Sequence, residues 1–287
     1  MKLLTSTLLR RIGAPLRAAN PRLYAKLNRV RAQLLTRGRP ISAYQGVAID
    51  RFDRRVRVRG RRILEIGTDP AQRMLGLLSD MGAARAIGVN NDPTFRSGHS
   101  GARTDLTVVI ADAARLPFAD ASFDAIFSVA TFEHILDLPR ALDEMHRVLV
   151  KGGVLYTNFG PIWTGGKGHH LRVKVGDEEA RHFIPEKNPL PDHCHLLLTP
   201  AELRASLAGR VSQALIEPIV HWVYEDPGIN RLFHHEYIEI LNKSRFTIES
   251  IVPERDPVPP QLRRILELKY PAEKAFDVTN MEVIAVK

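Results

Sequence analysis

The chain has 287 residues, of which 44% are hydrophobic, 7% aromatic and 25% charged, a composition that suits a soluble globular protein with room for one domain and a large insertion. One cysteine, Cys194, excludes an intramolecular disulfide framework and fits a reducing, cytoplasmic setting. No run approaches the roughly 20 apolar residues that cross a bilayer, and the opening run Leu3–Leu9, broken by Thr5, Ser6 and Thr7, makes a poor signal peptide.

The formal net charge of +9 is unevenly placed. Residues 1–62 hold 17 Lys and Arg against Asp50 and Asp53, a net of +15 that leaves residues 63–287 at −6. Within residues 1–39 leucines recur at helix spacing between arginines. Such a helix packs on the body through its leucines, or lies as a peripheral contact on an anionic membrane. Nucleic acid is the less favoured partner. The run Arg51–Arg62 alternates Arg with Val at period two and reads as an exposed strand or basic arm, able to meet an acidic substrate or phosphate. A basic helical extension is therefore expected over residues 1–58.

From Gly60 onward apolar runs alternate with helix-period segments. Strands are expected at 62–66, 86–90, 107–111, 124–129 and 153–158. A helix opens near Pro70, with Met74, Leu75, Leu77, Leu78 and Met81 on one face. Another runs over 139–150 and stops at Lys151-Gly152-Gly153. Residues 161–200 lack periodicity and hold five histidines, so residues 161–240 read as an inserted lid over the acceptor. Thr199-Pro200-Ala201-Glu202 opens a helix near 200–208. Segments 236–242 and 260–268 read as helices, and 246–252 and 281–286 as strands. Residues 59–160 with 241–287 would form the core. β-α alternation of this kind builds an α/β fold on a parallel sheet.

The motif ILEIG at 63–67, IGVNNDP 24 residues further on, and the run from ADAARLPF through SFDAIFS and FEHI to the Gly-Gly turn resemble class I S-adenosylmethionine-dependent methyltransferases, most nearly the type 11 group. The resemblance covers roughly residues 61–159. It implies a doubly wound, seven-stranded, mostly parallel Rossmann-like sheet with an antiparallel last strand, and S-adenosylmethionine as cofactor. It also implies roles by position. Glu65 helps place the methionyl amino group, and Gly67 lets the backbone turn close to the ligand. Asp112 accepts from the adenine amine and the Ala113 amide meets a ring nitrogen, with Leu116 and Phe118 as walls. Ala130 and His134 follow the fourth strand at the ligand edge.

Two departures stand out. The loop Gly67-Thr68-Asp69-Pro70-Ala71 keeps one glycine of the family's three, and Asp69 either crowds the methionyl end or pairs with its ammonium. Asn90, backed by Asn91 and Asp92, replaces the acid that clamps the ribose, leaving weaker neutral contacts. For a hydroxyl acceptor a base is needed, and the candidates are His169, His170 and His193. His193-Cys194-His195 offers two metal ligands that would require a further carboxylate such as Asp192 or Asp177, and no metal is assigned. Trp163, Trp222, Tyr224, Phe233 and Tyr237 either stack on an acceptor or form the lid's small core. The function expected is O-methylation of a sugar, glycolipid or other small molecule. The alternatives are an RNA methyltransferase, prompted by the basic extension, and a catalytically silent binding module, prompted by the eroded loop.

Overall fold

A computed structural model describes residues 41–92 and 106–287. The expectations for residues 1–39 lie outside the described residues. The first element is not an arm. Helix α1 spans Ala43–Val56, begun by a capping box in which Ser42 and Gln45 satisfy each other's backbone amides, and ended by Arg57 in the left-handed region at φ 59°. Ile49, Phe52 and Val56 form its buried face, a helix spacing inside the run whose arginines suggested period two. Phe52 sits with its ring centroid 5.0 Å from Phe127 and 5.9 Å from Tyr156. Arg51 pairs with Glu282 at 2.6 Å and Arg55 with Glu249 at 2.6 Å. These arginines therefore fasten α1 to the sheet, and the expected boundary at residue 58 cuts through packed structure.

The sheet is built from β1 (Arg62–Ile66), β2 (Arg85–Asn90), β3 (Thr107–Ile110), β4 (Phe123–Val129), β5 (Leu149–Phe159), β8 (Thr247–Arg255) and β9 (Val278–Val286). Its order is β3-β2-β1-β4-β5-β9-β8. The first five strands run parallel, and β9 lies antiparallel to both β5 and β8. The doubly wound, seven-stranded expectation is what forms. β1 is buried throughout except at Arg62, as both faces of a parallel sheet are covered. Asp124 at the start of β4 holds Arg62 at 2.8 Å, a structural role.

On one face, α1 and α2 (Arg73–Asp80) contribute Phe52, Met74, Leu75 and Leu78 to a core with Ile63 and Phe127. On the other, α3 (Leu138–Val148) buries Leu142, Met145 and Val148 beside Tyr237 and Leu241. Each such side chain contributes roughly 1.5–3 kcal/mol of transfer free energy. Tyr237 and Leu241 belong to α7 (His234–Lys243), so the expected boundary at residue 240 divides a helix that packs on the main core.

The insertion is a small packed unit. It holds the hairpin β6 (Arg172–Val175) and β7 (Glu178–Arg181), then α4 (Cys194–Leu197), α5 (Pro200–Leu207) and α6 (Gln213–Tyr224). Its own core joins Leu171, Val173, Leu203, Leu207, Ile219 and Val223. Helix α5 starts with the Thr199–Glu202 capping box. Helix α6, in a stretch with no expected element, tolerates Pro218 inside it, and its Leu215, Ile216, Ile219, Val220 and Val223 keep helix spacing. Trp222 and Tyr224 pack against this unit. Helix α8 (Pro260–Lys269) precedes β9. Among the described residues no helix is long and apolar enough to cross a membrane.

Candidate functional site

The winding of the sheet reverses between β1 and β4, and there a cleft of about 520 Å³ opens at the strands' carboxyl ends, the place where open α/β sheets bind ligands. Ile66 and Gly67 from β1, Val89, Asn90 and Asn91 from β2, and Ala111, Asp112 and Ala113 after β3 line one half. Ala130, Thr131, His134, Ile135, Leu136 and Asp137 after β4 line the other, with Pro227 and Gly228 reaching in from beyond α6.

The first turn depends on a glycine. Gly67 has φ +85°, and a Cβ there would stand 1.9 Å from Thr131 Oγ1. Only a residue without Cβ lets β1 turn this tightly beside the loop after β4. Ala130 holds φ +51° without being glycine, a strained conformation typical of binding sites.

Glu65 and Asp69 do not reach the cleft surface. Glu65 is 4% exposed, accepts from the Thr68 hydroxyl at 3.0 Å, and is pushed up to about 8 by burial. It braces the loop from beneath. Asp69 accepts from the amides of Ala71 at 2.9 Å and Arg73 at 3.1 Å and pairs with the Arg73 guanidinium. Its carboxylate is folded into the start of α2, so it neither crowds the cleft nor is placed to pair with a ligand ammonium.

Asn90 and Asn91 do line it. The Asn90 amide donates to Thr68 O at 2.9 Å and its Oδ1 accepts from Asp92 N at 2.7 Å, which leaves one N–H and one lone pair for a ligand hydroxyl. Asp112 Oδ1 accepts from Ala114 N at 2.9 Å, so the turn after β3 orients the carboxylate while Oδ2 is left for a ligand donor. Leu116 is buried in the main core, and Phe118 packs edge-on against Phe123 at 5.0 Å. Neither walls the cleft, which corrects the expectation for both.

The three histidines expected as bases lie elsewhere. His169 is fully buried and its Nδ1 accepts from Leu171 N at 3.0 Å. His170 bonds Pro161 O through Nε2. His193 donates through Nε2 to Phe276 O at 2.9 Å. Burial lowers all three, His170 to about 3. His195 Nε2 lies 2.8 Å from Trp163 O, so the His193 and His195 rings serve separate carbonyls.

The histidine in the cleft is His134. Its Nδ1 lies 2.5 Å from Gly228 O. A carbonyl only accepts, so Nδ1 carries the proton and Nε2 keeps its lone pair. Partial desolvation lowers the imidazole pKa, which holds it neutral near pH 7. His170 stands behind it, ring centroids 5.2 Å apart and edge-on. Ile66, Val89 and Ala111 were legible as strand ends. Nothing in the sequence joined Gly228 to His134 across 94 residues.

A cofactor with an adenosyl group fits this cleft in part. Asp112 and Ala113 line it with a carboxylate oxygen and a backbone turn after β3, and Asn90 keeps one donor and one acceptor toward it. The Gly67 turn leaves the strand end open to a ligand.

Residues 64–157 match the methyltransferase domain model of the type 11 group. A malonyl-[acyl-carrier protein] O-methyltransferase of Halorhodospira halophila is 32% identical over 144 residues, 48% of each chain. A demethylmenaquinone methyltransferase of a Roseiflexus species is 38% identical over 96 residues, 33% of this chain and 40% of that one. The chain spans about half or less of the length of these curated relatives. A solved S-adenosylmethionine-dependent methyltransferase of Mesorhizobium loti superposes with a TM-score of 0.48 at 18% identity, over 80% of this chain and 92% of that one. Residues 64–157 are thus a methyltransferase domain of the type 11 group, set in the seven-stranded, mostly parallel sheet of a Rossmann-like methyltransferase fold.

Proposed function

We propose that this protein transfers a methyl group from S-adenosylmethionine to a hydroxyl of a small acceptor, with His134 as the base. The observation that carries this is the His134–Gly228 bond, which presents a neutral imidazole with a bare Nε2 to the cleft. Asp112, Ala113, Asn90 and Asn91 would hold the adenosyl part. The cofactor supplies an electrophilic methyl group on a sulfonium. The protein's part is proximity, orientation and removal of the acceptor's proton. As the new O–C bond forms and the C–S bond breaks, the hydroxyl proton passes to His134 Nε2. The imidazolium that results keeps its Nδ1–H on Gly228 O.

The half of the cleft facing Asp112 carries apolar surface beside Thr131, His134 and Asp137. Ile135 and Pro227 line it, and Leu136, 64% exposed, stands at its edge. An acceptor whose hydroxyl sits beside apolar surface, such as a glycolipid or a hydroxylated ring, suits these walls better than a bare sugar. The O-methyltransferase among the relatives lends support to oxygen as the atom alkylated.

The test is methyl-labelled S-adenosylmethionine with a panel of hydroxylated small molecules. Label in a base-stable ether is expected, with kcat falling about 100- to 1,000-fold in His134→Gln and cofactor affinity held within about threefold. Equal turnover by His134→Gln, or product labelled on nitrogen, would remove this assignment.

A further inference from the structure

His134 stands on a single helical turn, Phe132–His134. The turn's own main-chain bonds are His134 N to Thr131 O at 2.8 Å and Ile135 N to Phe132 O at 3.3 Å. Its carbonyls are also held from far along the chain. Asn230, between α6 and α7, donates through Nδ2 to Phe132 O at 2.8 Å and to Ile135 O at 3.0 Å, 98 and 95 residues away. The Asn230 main-chain N–H goes to Glu133 O at 2.9 Å.

Asn230 is itself fully engaged. Its Oδ1 accepts from the Tyr237 hydroxyl at 2.7 Å and from Leu232 N at 3.2 Å. Both amide N–H groups and both lone pairs are therefore used, which leaves the amide one orientation. Tyr237 is buried, its ring centroid 5.1 Å from that of Phe159, which lies 5.4 Å from Phe132. The turn thus rests on packed core.

Two residues before Asn230, Gly228 supplies the oxygen that meets His134 Nδ1. Gly228 N is held on Asp226 Oδ1 at 2.7 Å, and the Arg231 guanidinium closes on Asp226 O at 2.6 Å. The two ends of the His134–Gly228 bond belong to two segments, and Asn230 joins both. A neutral imidazole can carry its proton on either nitrogen, and a carbonyl fixed against Nδ1 selects one form.

We propose that Asn230 is a positioning residue for His134. By clamping residues 132–135 to residues 228–230 it keeps Gly228 O on the Nδ1–H and aims Nε2 at the cleft. Asn230 passes no proton itself. Its part in turnover rests on the reading of His134 as the base, whereas its hold on the tautomer does not.

The readout is the imidazole ¹⁵N NMR spectrum of the full chain labelled in histidine, with the His134 signals identified by their loss in His134→Gln. The parent is expected in the Nδ1–H form. Asn230→Ala removes the side-chain clamp, and Asn230→Asp keeps an oxygen for Tyr237 and Leu232 but loses both donors. Each should raise the ratio of Nε2–H to Nδ1–H about tenfold, with a cooperative melt as the check on folding. In methyl transfer to a hydroxylated acceptor kcat should fall about 10- to 100-fold, as for a displaced catalytic group, while the KM for S-adenosylmethionine stays within about threefold. A folded variant whose His134 keeps the parent's tautomer ratio overturns the proposal. So does loss of the fold in both variants, which would make Asn230 a structural residue only. Equal turnover by His134→Gln would remove the base and leave the tautomer result standing, so the two failures are told apart.

Discussion

The side-chain amide of Asn90 donates to the main-chain oxygen of Thr68 at 2.9 Å, tying the end of β2 to the loop after β1. The same side chain accepts from Asp92 N at 2.7 Å, so one residue braces both loops at this edge of the cleft. An acid here would lose the donor and set a carboxylate against the Thr68 carbonyl. Asn90→Asp is therefore expected to weaken S-adenosylmethionine binding by about 3- to 10-fold, roughly 1 kcal/mol, although such an acid is what the family usually carries. A tighter complex by calorimetry would contradict this.

Gly67→Ala combines a φ of +85° with a Cβ 1.9 Å from Thr131 Oγ1. Strain and overpacking together should cost about 2–4 kcal/mol of stability. Chemical denaturation should show that loss, with Thr131→Ala/Gly67→Ala recovering only the steric share. A double variant no more stable than Gly67→Ala would show that Thr131 is not the obstacle.

Stability should pass through a maximum near pH 6.5. Burial raises Glu65 and Glu133 from 4.5 to about 8. From pH 4.5 to 8 the folded state thus keeps protons that the unfolded state releases, and stability falls as pH rises. Burial lowers His170 and His195 from 6.5 to about 3, and lowers His134, His169, His182 and His193 in the same direction, so the histidines outnumber these carboxyls. Below pH 6.5 the unfolded chain gains protons that the folded one refuses, and stability falls as pH drops. Above pH 6.5 the histidine contribution fades and that of the carboxyls remains, each up to about 1.4 kcal/mol per pH unit. Urea titrations between pH 6.5 and 8 should show the decline, with a shallower slope in Glu65→Gln. A flat profile would mean that these carboxyls are ionised in the folded state.

Phe52→Ala would leave Phe127 and Tyr156 without the ring that packs on both. A loss of about 3–5 kcal/mol is expected, read from the denaturation midpoint. A loss under about 1 kcal/mol would show that α1 does not contribute to the core.

The sheet was legible because each parallel strand is a short apolar run ended by a turn residue, so Arg62–Ile66 appears in the structure where Ile63, Leu64 and Ile66 put it. Gly67, Asn90, Asn91, Asp112, Ala113, Ala130 and His134, singled out by the family resemblance after strand ends, all line the cleft. Glu65 and Asp69 do not, because their partners, the Thr68 hydroxyl and the Arg73 amide, are decided by how the loop closes. Counting histidines favoured His169, His170 and His193, yet burial takes all three from the cleft. The helical face of Ile49, Phe52 and Val56 was hidden beneath arginines whose spacing imitated a strand.

The most direct measurement is calorimetric titration of S-adenosylmethionine into the full chain and into Asp112→Ala. One-site saturable binding to the parent is expected, weakened at least about tenfold in the variant as a hydrogen bond to a charged acceptor is lost. No heat at millimolar ligand, or equal affinity for both proteins, would contradict a donor site in the cleft between Gly67 and Asp112.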